Sequence, residues 1–233
     1  MVKGFIVTFV GLVGAGKSTH IKLLCRALRK NGVNPKVSWL KTNHLFAYIL
    51  LYLMSRITTG RRTAYIIRGF LTYHKRLFDR IYNIWLALDL ISILLKYIAT
   101  ILIPLRLGRI ILVEEYVPAI LADLYYFNYR LKRKSKPWIA RLYETILLSI
   151  YSKHKNIIIY LYADPQVLRE RWIKRGTPIE DLAYLLFQEK ILRKLVMRLP
   201  AEKRIFINTS HRSPIEVHNE IYRSLIQLIR ESN

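Results

Sequence analysis

The sequence predicts an α/β fold in three layers, a five-stranded parallel sheet with helices on both faces. Three observations predict it. Five short runs rich in β-branched and aromatic residues, GFIVTFV (4–10), KVSWL (36–40), RIILVEE (109–115), NIIIYLY (156–162) and RIFIN (204–208), alternate with segments of helical pattern, and strands separated by helices pair in parallel. Most of these runs are apolar without alternation, as in strands covered on both faces. The chain has 233 residues, of which 52% are hydrophobic, enough for one domain with a substantial core.

The elements follow in order. After the first strand, Ile21, Leu24, Cys25 and Leu28 recur at helical spacing and Asn31-Gly32 supplies a left-handed stop. Helices are expected over residues 43–57, 63–78 and 79–104, then at about 118–132 and 137–152, between the second and fourth strands. Asp164 is placed as N-cap of the next helix, with Pro165 in its first turn and Gly176 past its end. A helix over 179–198 precedes the fifth strand, and Ser213, Pro214 and Glu216 form a capping-box start for the last helix.

Composition bounds the surroundings. The single cysteine, Cys25, permits no intramolecular disulfide and fits a reducing compartment. The N-terminal apolar run leads straight into a glycine loop and lacks signal-peptide organisation, so a cytoplasmic protein is expected. The stretch 81–105 is interrupted by Asp89 and Lys96 and approaches its end at Pro104; its uncharged runs are shorter than a membrane span needs, so packed helices are expected, with interfacial contact the lesser reading. Lys and Arg total 39 against 15 Asp and Glu, a formal net charge of +24, which attracts polyanions such as nucleotides, nucleic acid or anionic lipid. Two basic patches stand out, residues 60–68 and 130–136.

The chemistry concentrates in GLVGAGKST, residues 11–19. Gly11, Gly14, Ala15, Gly16, Lys17 and Ser18 satisfy the spacing G-x-x-x-x-G-K-[ST], with Thr19 extending the set. Glycines let the backbone turn and aim its amides inward, a lysine neutralises β- and γ-phosphate oxygens, and a serine at the start of a helix can ligate Mg²⁺. Position after a buried strand and before an amphipathic helix is the context this motif requires. ATP with Mg²⁺ is the expected ligand. No guanine-recognition Asn-Lys-x-Asp motif follows a strand, which disfavours a GTPase.

Four segments in order then resemble the thymidylate kinase and nucleoside monophosphate kinase branch of the P-loop fold. The first strand, loop and helix (4–32) are similar to that family's opening. GRIILVEEYVPAILADL (108–124) resembles its third strand and following helix, YADPQVLRERWIKRG (162–176) its stretch leading into the lid, and IFINTSHRSPIEVHNEI (205–221) its last strand and adenine-side loop. The resemblance implies strand order 2-3-1-4-5, one domain over 1–233 with a helical insertion at about 43–106 and a lid at about 169–182. It also implies transfer of the ATP γ-phosphoryl to a nucleotide, a nucleoside monophosphate above all, with a homodimer as an allowed assembly.

The departures lie on the acceptor side. Where the family has Asp-Arg-Tyr, this chain has Glu114, Glu115 and Tyr116, and where it has Arg-Glu-Pro-Gly after the second strand this chain reads LKTNH. Roles follow residue by residue. Glu114, ending a buried strand, is expected to place the metal together with Ser18. Arg171 and Arg175, four apart on one helix, are expected to close on the transferring phosphate with Lys17. Asp89, alone in an apolar helix, together with Glu115 and Tyr116, are candidates for acceptor contact, and a cation would also explain a buried Asp89. His44 and His74 lack metal-ligand spacing and read as structural. A second reading, from a different class, is a basic ATP-binding protein that docks on nucleic acid or an anionic membrane with little turnover.

Overall fold

The structure, a computed structural model, describes residues 4–58, 66–133, 137–176 and 182–231. Residues 60–65 and 134–136 of the two basic patches, and 177–181 of the expected lid, lie outside the described residues. The five strands are β1 (Ile6–Val10), β2 (Lys36–Leu40), β3 (Ile111–Glu115), β4 (Asn156–Tyr162) and β5 (Lys203–Asn208). They form one parallel sheet in the order β2-β3-β1-β4-β5, as expected.

Alternate residues of β1 serve the two faces. Ile6 and Val10 join one buried cluster with the helices between β2 and β4, whereas Val7 and Phe9 join a second with α1 (Lys17–Lys30), α8 (Pro165–Lys174) and α10 (Pro214–Glu231). Each fully buried large side chain contributes on the order of 1.5–3 kcal/mol, and β1, buried at all five positions, is the centre of both layers. Helix α1 ends as the sequence predicts, with Asn31 at the C-cap and Gly32 at φ +76°.

Between β2 and β3 the chain runs through α2 (Leu45–Thr58), α3 (Ile66–Tyr73), α4 (Lys75–Tyr97), a π-helical segment (Ile98–Leu102) and α5 (Ile103–Arg106). The break falls at His74 instead of 78/79, because no proline or glycine marks it and the apolar pattern runs through. The π segment ends two residues before Pro104, which cannot donate to the helical ladder. By length and composition the rod Lys75–Arg106 would suffice to cross a membrane, contrary to the expectation from its uncharged runs. Its Trp85, Asp89, Ser92 and Ile93 nevertheless lie fully buried in the protein core.

Helices α6 (Tyr116–Arg130), α7 (Trp138–Ser152) and α9 (Leu182–Arg198) complete the layers. Helix α6 starts two residues earlier than expected, because Glu115 and Tyr116 take positive φ (+77° and +53°) and turn the strand directly into the helix. Asp164 occupies the N-cap of α8 without a side-chain cap bond; its carboxylate lies 3.9 Å from His211 Nε2 instead. The capping box of α10 forms in both directions, the Ser213 N–H donating to Glu216 at 2.8 Å and the Glu216 N–H to Ser213 Oγ at 3.2 Å.

Candidate active site

The loop between β1 and α1 is held in a nest. Gly11 and Gly14 take φ of +147° and +86°, and each fits where a side chain would not. A Cβ on Gly11 would stand 2.1 Å from the Leu161 carbonyl oxygen, and one on Gly14 would stand 2.8 Å from Trp172 Nε1. Gly16, at φ +96°, opens α1 without a capping side chain, so the first-turn amides of Lys17, Ser18 and Thr19 face the loop's concavity, where an anion binds. Ala15, fully buried, donates its N–H to Leu12 O at 3.2 Å and closes the turn.

Lys17 Nζ donates to the carbonyls of Gly11 (2.8 Å) and Leu12 (3.0 Å) and stands 3.6 Å from Glu115. Burial lowers its pKa below the usual lysine value, against the raising influence of Glu115 and Glu114. Glu115 in turn lies 3.0 Å from Lys41 Nζ. Burial pushes the Glu115 carboxyl up, but Lys41 and then Lys17 outweigh it and hold it at about 2. Lys41 is likewise destabilised by burial and raised above its ordinary value by Glu115 and Asp123. The chain Lys17, Glu115, Lys41 is therefore a line of alternating charge leading away from the nest.

Ser18 Oγ donates to Glu114 Oε1 at 2.8 Å. A serine hydroxyl at a helix start and an adjoining carboxylate form an all-oxygen set that suits Mg²⁺, which takes one or two protein ligands and completes its shell with phosphate and water. Among the described residues no group of three His, Cys, Asp or Glu could hold a metal ion by itself, so a metal here would depend on the nucleotide.

Beyond Lys41 lies a cavity of about 630 Å³ lined from the end of β2, the β2–α2 loop, α2, α3, α6 and α9. Trp39, Tyr48, Tyr126, Phe127 and Tyr184 supply flat apolar walls, and Lys41, Arg68 and Asp123 the charges. Asp123 accepts from Thr42 Oγ1 (2.9 Å), Gln188 Nε2 (2.8 Å) and Tyr184 OH (3.3 Å), and burial pushes its carboxyl up while Lys41 opposes. The Arg68 guanidinium lies 4.1 Å over the Tyr184 ring. Open parallel sheets bind ligands outside the carboxyl ends of their strands, and this cavity sits beyond β2 and β3.

Sequence reasoning missed Lys41, Thr42, Arg68, Asp123 and Tyr184. Lys41 and Thr42 had a positional signal, following the carboxyl end of a strand, and Asp123 the same signal as Asp89, a lone carboxylate in an apolar helix. His44, read as structural, lines the cavity; it accepts the Lys41 N–H at 3.3 Å and lies 3.1 Å from Lys96 Nζ. Burial and then Lys96 hold it down at about 4, so it is neutral near neutral pH.

The remaining candidates fall into two groups. Asp89 does not line the cavity; it accepts the Asn43 N–H (2.6 Å) and the Tyr143 hydroxyl (2.7 Å) and ties the β2–α2 loop to α4, with no cation among those partners. Tyr116 is fully buried against Tyr151, ring centroids 5.6 Å apart. Arg171 reaches the nest, donating Nη1 to Gly14 O (3.1 Å) and Thr209 Oγ1 (3.0 Å), and Nη2 to Thr209 O (2.6 Å). It braces the loop to the segment after β5 in this conformation. Arg175 is the exposed C-cap of α8 and is not drawn into that cluster.

A parallel sheet of this order, with a glycine nest opening α1 and a lysine folded into it, defines a P-loop kinase-like fold. Comparison with solved structures agrees: the chain is similar to the thymidylate kinase of Candida albicans, with a TM-score of 0.60 and 16% identity over 99% of this chain and 94% of that one. No protein family and no curated protein matches the sequence itself.

Proposed function

We propose that the protein is a Mg²⁺-dependent phosphotransferase that moves the γ-phosphoryl of ATP to a nucleotide, a nucleoside monophosphate in the first instance. The observation that carries this reading is the line Lys17, Glu115, Lys41, which links the triphosphate nest to a separate aromatic cavity through contacts of 3.6 and 3.0 Å. A hydrolase needs room only for water next to its nest, whereas a cavity of about 630 Å³ with flat aromatic walls suits a second, ring-bearing substrate.

The residues divide the work. The amides of the loop and of the first turn of α1 bind the triphosphate, and Lys17 exchanges the Gly11 and Leu12 carbonyls for phosphate oxygens. Ser18 and Glu114 would hold Mg²⁺, which when bound neutralises phosphate charge and fixes its orientation. Lys41, at the inner end of the cavity, attracts the acceptor's anionic group, and the aromatic walls orient its base. An acceptor oxygen forms a bond to the γ-phosphorus as the bond to the bridging oxygen breaks and ADP leaves. Phosphoryl transfer rests on such positioning and charge stabilisation, so Glu115 is assigned to holding the two lysines, not to proton abstraction; a carboxyl held at about 2 is a weak base. The similarity to a thymidylate kinase fold supports the same class.

The test is an ADP-release screen over nucleosides, nucleoside monophosphates and short oligonucleotides, with Lys17→Ala as control. One acceptor class is expected to stimulate the wild type at least about 100-fold over that control, the scale of losing one charge-stabilising donor. Equal rates in both proteins with every acceptor would end the phosphotransferase reading.

A further inference from the structure

The helices between β2 and β3 carry more apolar surface than the core uses. On α2 only Ala47 and Leu51 are buried, and Phe46, Ile49, Leu53 and Ile57, spaced three, four and four apart along one side, are 46–86% exposed. On the rod formed by α4 and the π segment, Ile84, Ile91, Leu95 and Ile98 repeat at seven, four and three, and are 43–60% exposed. The two helices pack on each other, with the Phe46 N–H donating to Ser92 Oγ at 3.2 Å. Two unpartnered stripes on packed neighbours make an apolar area that a lone soluble domain seldom exposes.

Charge decides what covers it. Residues 45–106 contain nine Lys and Arg and two Asp. Both carboxylates are spent: Asp89 is fully buried and Asp79 lies 2.7 Å from Arg133. Arg56, Arg76 and Arg80 are exposed on the same helices as the stripes, and Arg106 on α5 just beyond them. A second copy of the chain would set these cations against their own kind, in a molecule of formal net charge +24. An anionic bilayer offers them phosphates and offers the stripes its acyl boundary, the combination an in-plane amphipathic helix uses. The aromatic edge fits as well. Tyr52, outside the cavity lining and 44% exposed, stacks at 6.1 Å on Tyr48 of the cavity wall, and such a ring favours the headgroup level.

We infer that the α2 and α4 face is a peripheral docking surface for anionic membrane, with these helices lying in the plane of the interface. The test is flotation of the full chain with vesicles of phosphatidylcholine alone and with phosphatidylglycerol added. Binding is expected only with the anionic lipid, weakening as salt is raised because exposed charges are screened. Neutral substitutions Ile91→Ser with Leu95→Ser, and separately Ile49→Ser with Leu53→Ser, should each reduce binding at least about tenfold, since each removes two inserted aliphatic side chains. Both pairs are exposed, and circular dichroism of each variant is the control that it folds. Lys17→Ala should bind as the wild type does. Failure to float with anionic vesicles, or serine variants that bind undiminished, would overturn the inference. So would sedimentation showing a dimer that these substitutions dissociate without lipid, or duplex DNA binding that depends on the same residues.

Discussion

Asp89 is a carboxyl group with no accessible surface, and burial pushes it up to about 7 from 3.8 although Tyr143 and backbone amides favour its charged form. The sign follows from where the proton sits. The folded chain keeps it up to about pH 7 while the unfolded chain gives it up near pH 4, so this group's contribution is complete below about pH 4. It is lost as the pH rises to about 7 and is constant beyond. Each pH unit in that window is worth about 1.4 kcal/mol, so from about pH 5 to pH 7 the wild type loses about 3 kcal/mol relative to a side chain that cannot ionise. Asp89→Asn is that side chain: its amide oxygen can accept the Asn43 N–H and its amino group can donate to the Tyr143 hydroxyl oxygen. Thermal unfolding of both proteins at about pH 5 and pH 8 reads the difference. In a chain of this size 1 kcal/mol moves Tm by about 2–4 °C, so the gap should shift by roughly 6–12 °C in favour of the Asn variant. Curves that stay parallel would refute the reasoning, and a variant whose acceptor KM rises with no change in this gap would return Asp89 to the acceptor site.

Two further outcomes follow from the loop. Arg171→Met removes three donated hydrogen bonds to Gly14 and Thr209, and should cost about 2–3 kcal/mol in denaturant unfolding, the scale of hydrogen bonds from a charged group, while weakening ATP affinity; unchanged stability would place the arginine outside the loop's support. Gly14→Ala meets both a φ of +86° and the Trp172 indole at 2.8 Å, so nucleotide affinity measured by calorimetry should fall at least tenfold, since left-handed backbone at a non-glycine residue costs about 1–2 kcal/mol before the clash is counted.

Local signals were legible in the sequence and distant ones were not. The nest could be read because its requirements are contiguous: glycines, lysine and serine within residues 11–18, after a buried run and before an amphipathic one. The capping box at Ser213 and Glu216 was readable for the same reason. Asp89 was legible as a carboxylate needing partners, but those partners come from 46 and 54 residues away, and a tyrosine hydroxyl and a backbone amide served where an acceptor group, or else a cation, was expected. Arg171 was placed on the right helix, yet its bonds run to Gly14 and Thr209, 157 and 38 residues distant. The cavity assembles from six segments of the chain, and no spacing rule joins Lys41, Arg68, Asp123 and Tyr184. The turn at Glu115 and Tyr116 was hidden too, because neither residue type announces positive φ.

The proposed function requires that ATP held at residues 11–19 pass its γ-phosphoryl to a molecule held in the cavity beyond Lys41. Incubation with γ-labelled ATP, Mg²⁺ and the best acceptor from the screen tests it directly, with wild type, Lys17→Ala and Lys41→Met side by side. Label on the acceptor in the wild type, lost in Lys17→Ala and reduced through a raised acceptor KM in Lys41→Met, is the predicted result. Label released only as inorganic phosphate, at a rate indifferent to both the acceptor and Lys41, would contradict it.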